Sequence, residues 1–330
     1  MPDPTAPTAR WSFDAQATAA DFDRGGAVFA LGDGSVRFAS GERQDAHDGA
    51  VLSAAVHPSG DGLVTGGDDG RIVWSRRDGL EVLAEVPGRW IDSVATAPET
   101  GLIAAAAGRG LVVLDAADRA FRRDHAAERT LAAVAFDPKG RRVAAATYGG
   151  ALVWFARIAG QRPTLYKWGG SHTAVAWSPD GAFLITAMQD NQLHGWRLKD
   201  VRDMRMGGYP SKIRNLAFLS KGQLLATPGA QGAVLWPFVG ANGPMGREAT
   251  EIGFDQSAMV ALVAARPAHG RLVAGLDDGR VWVADPAAQG LDFVRADKGA
   301  AITALALSPD GRQVAWADED GEAAVAEISV

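Results

Sequence analysis

The residues able to do chemistry are thinly spread in this chain. Its six histidines (His47, His57, His125, His172, His194 and His269) include no pair two or four residues apart that could share a metal ion. No HExxH and no GxSxG occurs, so neither a zinc-protease helix nor a nucleophile elbow is encoded. Gly240–Arg247, GANGPMGR, echoes a phosphate loop but lacks the Lys-Ser/Thr pair and a following helix, and reads as a connector. Asp33, Asp68, Asp69, Asp277, Asp278 and Asp320 flank glycines without calcium-loop spacing, which is turn chemistry. The absence of cysteine excludes disulfides, thiolate metal sites and thiol nucleophiles. No cofactor, metal or catalytic residue is expected, and the protein is not expected to be an enzyme. What remains is a set of residue types that dominate binding hot spots: Arg89, Trp90, Arg109, Arg129, Tyr148, Trp168, His172, Tyr209, Lys212 and Arg214.

The elements that would position them are read from one stretch, 171–196, SHTAVAWSPDGAFLITAMQDNQLHGW. An alternating run, a Pro-Asp-Gly turn, an apolar run, an Asx turn and a short run ending at Trp196 make a three-stranded antiparallel meander. A meander this small cannot bury both faces and needs neighbours of its own kind. Eight such units are found. Their first strands are Ala17–Phe22, Val51–His57, Ile91–Ala97, Leu131–Asp137, Thr173–Ser178, Ile213–Leu219, Met259–Ala265 and Ile302–Ser308. Pro58, Pro98, Pro138, Pro179, Pro267 and Pro309 stand in the turns that follow, about 35–46 residues apart, the period of four-stranded propeller blades. A second turn recurs at Asp33-Gly34, Asp69-Gly70, Arg109-Gly110, Gly149-Gly150, Asp190-Asn191, Gln231-Gly232, Asp278-Gly279 and Asp320-Gly321.

The sequence therefore predicts an all-β fold: one propeller of eight four-stranded blades, with seven as the alternative count. Residues 1–9 are expected as a flexible leader and 10–330 as the single propeller domain. The last unit lacks a fourth strand, and Arg10–Asp14 is its natural donor, which would remove an open sheet edge. With 330 residues, 47% of them hydrophobic, the chain has ample core, and no run is long and apolar enough to span a membrane. The expected compartment is the cytoplasm.

The segments 46–74, AHDG…VHPSGDGLVTGGDDGRIVW, and 174–181, AVAWSPDG, resemble WD-repeat β-propellers, a likeness that extends over essentially the whole chain. In that family an Asp, a His, a Ser/Thr and a Trp form a buried set in each blade, the Trp five residues after the turn glycine. Here Trp74, Trp154 and Trp236 come at four, and only Trp196 at five. Only the second unit offers a His-Thr-Asp combination (His47, Thr65, Asp69), so blades held mainly by apolar packing are expected, with Trp74, Trp154 and Trp236 wedged between them. MQDNQLHGWRL (188–198), MRMGGYPSKI (204–213) and VLWPF…GPMG (234–246) also resemble stand-alone bacterial WD-repeat proteins, some encoded beside metal-handling GTPases.

In a propeller of this kind the loops entering each first strand and the second turns share one face. The ten binding candidates lie on the loops of blades three to six. Asp277, Asp278, Glu319, Asp320, Asp33, Asp48, Asp68 and Asp69 lie on the others, so a dipolar face is expected. The leading expectation is a non-enzymatic, monomeric scaffold that binds a protein or peptide partner through the basic and aromatic half. The alternatives are a propeller hydrolase or lyase with polar groups at a central channel, nucleic-acid binding through Arg89, Arg129 and Lys212, and an accessory role to a metal-handling GTPase. Nucleic acid and membrane are not the expected partners, because the net charge of −6 lacks the electrostatic footprint of a polyanion binder.

Overall fold

A computed structural model of the chain describes residues 7–288 and 290–328. The described residues form 30 β-strands and one short 3-10 turn at Ser220–Gly222. The strands make seven antiparallel sheets, six of four strands and one of six. In six of the sheets the strands are consecutive along the chain, and in the seventh the N-terminal strand β1 (Pro7–Ser12) lies beside β30 (Glu322–Glu327), followed by β29 (Gln313–Asp318) and β28 (Ile302–Leu307). Among the described residues no helix is long and apolar enough to cross a membrane.

The strand positions follow the sequence closely. The expected first strands reappear as β2 (Ala17–Asp23), β6 (Val51–Val56), β10 (Ile91–Ala97), β14 (Leu131–Phe136), the second half of β16 (Thr164–Trp177), β24 (Val260–Ala265) and β28 (Ile302–Leu307). The sixth is shorter than expected, β20 covering only Ala217–Leu219. The N-terminal strand β1 (Pro7–Ser12) pairs with β30 (Glu322–Glu327) and supplies the fourth strand of the last sheet. It begins within the stretch expected as a leader, whose first six residues lie outside the described ones.

The expected count of eight blades is corrected: the structure has seven sheets. The expected turn at Gly149-Gly150 does not end a strand. β15 runs unbroken over Arg142–Phe155 and β16 over Thr164–Trp177. Tyr148 pairs with Ser171 and Ala151 with Tyr166, so the fourth and fifth expected units share one sheet. Both glycines have positive φ, 96° and 141°, so the chain bends there without losing its ladder.

The chain divides into two compact units, one of 1–22, 191–193 and 204–330, the other of 23–190 and 194–203. In the second unit the first strands β6, β10, β14 and the end of β16 run side by side. Ser53 Oγ accepts the Val94 amide at 3.0 Å and Ser93 Oγ the Val134 amide at 3.1 Å. In the first unit Asn215 does the same for Val263, accepting its N–H at 3.2 Å and donating to its carbonyl at 2.6 Å. These polar stitches fix one sheet's height against the next.

The sheets pack through an alternation of small and large residues. β11 (Leu102–Ala107) is buried at every position, four of them alanine, and β15 contributes Ala144, Ala145 and Ala146. A Cβ added at Gly66 would lie 2.4 Å from Ile91 Cγ2, and one at Gly275 would lie 2.5 Å from Ile302 Cγ2. Each glycine therefore accepts the bulky residue that opens the next sheet's first strand, an approach no side chain tolerates. Ala106 and Leu131 belong to one core cluster.

The tryptophans expected as wedges divide. Trp154 is buried in the core of the second unit with Leu131, Val134 and Val143, and Trp236 is buried in the first. Trp74 is only half-buried: it stacks flat on His57 at 3.8 Å, carries Arg76 over its ring at 4.2 Å, and donates from Nε1 to the Asp61 carbonyl at 2.7 Å. Trp154→Ala should lower the unfolding free energy by about 3–5 kcal/mol in urea titrations, and Trp74→Ala by less. Equal losses would refute the distinction.

His57 itself is buried under Trp74. Burial, aided by Arg119 and Arg76, pushes its imidazole down to about 4 from 6.5. The unfolded chain then binds a proton that the folded chain refuses, so stability is full above the unfolded value and is lost as pH falls from 6.5 to 4. His57→Phe keeps a ring in the stack and removes the titration. The urea midpoint of that variant should fall less steeply across this window, whereas an unchanged slope would assign the pH dependence to other groups.

Candidate functional site

Arg89 and Trp90 stand just before β10 (Ile91–Ala97), and Arg109 lies in the turn from β11 to β12 (Gly110–Asp115). Arg129 precedes β14, Tyr148 is within β15, and Trp168 and His172 are within β16. All seven belong to the second unit; Tyr209, Lys212 and Arg214, between β19 (Arg202–Met206) and β20, belong to the first.

The turn and entry loops of the second unit are held together by their backbones. The Leu131 amide donates to the Gly108 carbonyl and the Ala127 amide to the Arg109 carbonyl, both at 2.8 Å. This pins the Arg109 turn to the loop that carries Arg129. Gly108 has φ of +58°, and a Cβ there would lie 3.3 Å from Arg89 Cδ, so the Arg89 stem rests on the same turn. Beneath it Asp92 has a carboxyl raised above its ordinary range by burial, against the opposing pull of the Gly108 amide. Arg129 lies over the Tyr148 ring at 4.7 Å. Trp90 and Tyr148 are 62% and 56% exposed, an unusual state for large aromatics outside an interface.

Arg109, Arg129, Tyr148 and His172 line one pocket of about 450 Å³. Glu128, Thr130, Thr147 and Ser171 complete the polar part of its wall and were not among the sequence candidates. Each neighbours a candidate in the sequence, whereas Ser171 is brought to Tyr148 only by the strand register.

Two candidates turn out to be internal. His172 is fully buried, with Nδ1 2.7 Å from Thr186 Oγ1 and Nε2 3.2 Å from the Trp168 carbonyl; burial holds its pKa below the ordinary value. Tyr209 is buried in a directed chain of hydrogen bonds. Trp236 Nε1 donates to the Tyr209 hydroxyl at 2.7 Å, that hydroxyl meets Thr227 Oγ1 at 2.6 Å, and Thr227 donates to the Val234 carbonyl at 3.4 Å. Burial pushes the phenol up to about 12 against both hydrogen bonds. Trp168 is half-buried and stacks on His194 at 3.9 Å. Lys212 and Arg214 are exposed.

The expectation of a single polar set is thereby corrected. The expected one is present, His47 Nδ1 lying 2.9 Å from Asp69 Oδ1 and Nε2 2.8 Å from Thr65 Oγ1. His172–Thr186 and Tyr209–Thr227–Trp236 are two more. A threonine five residues before the second-turn glycine or asparagine (Thr65, Thr186, Thr227) is the sequence mark shared by all three.

Four of the eight acidic residues expected on the opposite loops are paired with cations. Asp33 accepts from Ser35 and lies 3.8 Å from Arg43, Asp48 and Asp69 both engage Arg71, and Asp278 holds Arg280 at 2.8 Å and Lys298 at 3.3 Å. Burial opposes the Asp278 charge, but the Arg280 hydrogen bonds keep its carboxyl below the usual range. Among the described residues no three His, Asp or Glu side chains gather as a metal site.

Tyr209→Phe should cost about 1–3 kcal/mol of stability in urea titrations, because it strands Trp236 Nε1 in the core. A fully stable variant would return Tyr209 to the surface candidates.

Residues 41–74 and 165–197 match the WD40 family, described as WD domain, G-beta repeat. No curated protein matches the chain in sequence. Among solved structures, the computationally designed Ika8 protein is 18% identical over 96% of this chain and 98% of its own, with a TM-score of 0.76. A chain of the mitotic checkpoint complex is 15% identical over 100% of this chain and 98% of its own, with a TM-score of 0.65. At such identities the likeness speaks for fold alone. The chain carries WD40 repeats on a β-propeller fold.

Proposed function

We propose that this protein is a non-enzymatic interaction scaffold that binds a protein or peptide through the loops of its second unit, with Trp90, Arg89, Arg109, Arg129 and Tyr148 in contact. The observation that carries the reading is Trp90, 62% exposed at the mouth of a rigid strand and directly beside an arginine. An indole left in water gains its full apolar burial only when a partner covers it. The β-ladders on either side cost a partner no ordering, since the loops are already fixed by backbone hydrogen bonds. The WD40 repeats support the same reading, that fold serving widely as a platform for protein contacts, although fold by itself does not fix function. Lys212 and Arg214 are exposed in the first unit and are proposed as contacts of the same partner class. An accessory role to a metal-handling GTPase rests on the sequence resemblance alone, and no residue described above carries it.

Panning a random peptide library on the immobilised protein tests the proposal. Enriched peptides should bind the Trp90→Ala variant with a loss of about 2 kcal/mol or more, while its circular dichroism and urea midpoint stay near those of the parent. Enriched peptides that bind the variant unchanged would remove this surface from the function. A collapse of the urea midpoint would make Trp90 a core residue instead.

A further inference from the structure

Many arginines of this protein are held by a carboxylate. Arg77 holds Asp23 at 2.6 Å, Arg142 holds Asp137 at 3.0 Å, Arg157 holds Asp115 at 2.5 Å, and Arg295 holds Asp318 at 2.8 Å. Arg89, Arg109 and Arg129 are not: all three are exposed, and among the described residues none lies within ion-pair distance of a carboxylate. They are also contiguous. The Arg89 stem lies on Gly108, Gly108 leads into Arg109, and the Arg109 carbonyl is bonded to the loop that holds Arg129 over Tyr148. A protein of net charge −6 has thus left three neighbouring guanidiniums uncompensated in one place.

We propose that this row recognises an acidic segment of a partner protein, its carboxylates bridging Arg89, Arg109 and Arg129 while an apolar side chain beside them enters the pocket faced by Tyr148. The inference rests on the scaffold reading above and names the chemistry of its partner. Guanidiniums match carboxylates in a planar, two-pronged geometry, and like charges placed side by side are relieved only by an opposite charge across the interface. Two local acids do not cancel the row. Asp92 is engaged by the Gly108 amide rather than by an arginine, and Glu128 faces the pocket without pairing to any of the three. The net negative charge of the whole chain disfavours a long polyanion, whose field extends over many turns, more than a short acidic peptide that sees only the row.

The probe is a fluorescein-labelled twelve-residue peptide of alternating Glu and Gly carrying one central Leu. Its counterparts are the same peptide with Lys for Glu and a labelled oligothymidylate of equal charge. Fluorescence anisotropy at low salt should show the Glu peptide bound, the Lys peptide unbound and the oligothymidylate weaker. Arg109→Glu and Arg129→Glu should each weaken the Glu peptide about tenfold or more, with Arg109→Gln intermediate and circular dichroism unchanged throughout. Binding of the Glu peptide that survives both reversals, or no binding of it at all, would overturn the inference, as would equal binding of the Lys peptide. Tighter binding of the oligothymidylate would replace it with a nucleic-acid site. The scaffold reading fails separately: library peptides that need Trp90 yet show no enrichment in Asp or Glu leave a scaffold whose partner is not acidic.

Discussion

The structure depends on how closely one sheet can approach the next. A glycine late in a second strand receives the large aliphatic residue that opens the following sheet's first strand, as Gly66 receives Ile91 and Gly275 receives Ile302. Dispersion and burial at these contacts act only at close range, so a single added methyl would push the sheets apart along their whole length. The alanine-rich interiors of β11 and β15 follow from the same demand. So do the bulges one residue into the first strands, between Val51 and Ser53 and between Ile91 and Ser93. They turn the chain so that a serine reaches the amide of the neighbouring sheet.

With its sheets locked by apolar contact, the chain can dispense with a polar set in every repeat. Three survive, around Thr65, Thr186 and Thr227. Each places a buried hydroxyl between a ring and a backbone carbonyl, which satisfies groups that would otherwise be costly to bury. Elsewhere the same positions are apolar: Phe29, Ala105, Ala145, Ala274 and Trp316. The polar sets therefore mark where a loop must be tied to a strand, and His172 and Tyr209 act as such ties. That is why two residues whose types suit a binding surface are found in the interior.

Strand positions were legible because the turn signals are strong and local: Pro or Gly after each first strand, Gly or Asn at the second turn. Six of the first strands begin within one residue of their expected starts, and the N-terminal strand completes the last sheet, as the missing fourth strand of the last unit implied. The sheet count was not legible. Gly149-Gly150 looks like any other second turn, and only the pairing of Tyr148 with Ser171, 23 positions later, keeps the ladder continuous. The site was half legible. Arg, Trp and Tyr could be assigned to loops from spacing, but burial of His172 and Tyr209 depends on a threonine that approaches from another strand.

The contrast between the two kinds of charge is the most informative part of the surface. Acidic loop residues such as Asp33, Asp69 and Asp278 also cap their own turns, accepting backbone amides two residues on, and their arginine partners follow in the next strand. Their charge is used locally, by the fold. Arg89, Arg109 and Arg129 serve no turn: the backbone holds those loops without them, through the Leu131 and Ala127 amides. Apart from the stacking of Arg129 on Tyr148, these side chains, repeated on three successive loops, hold no turn together. On the proposed reading their energetic role is completed by a partner that covers them.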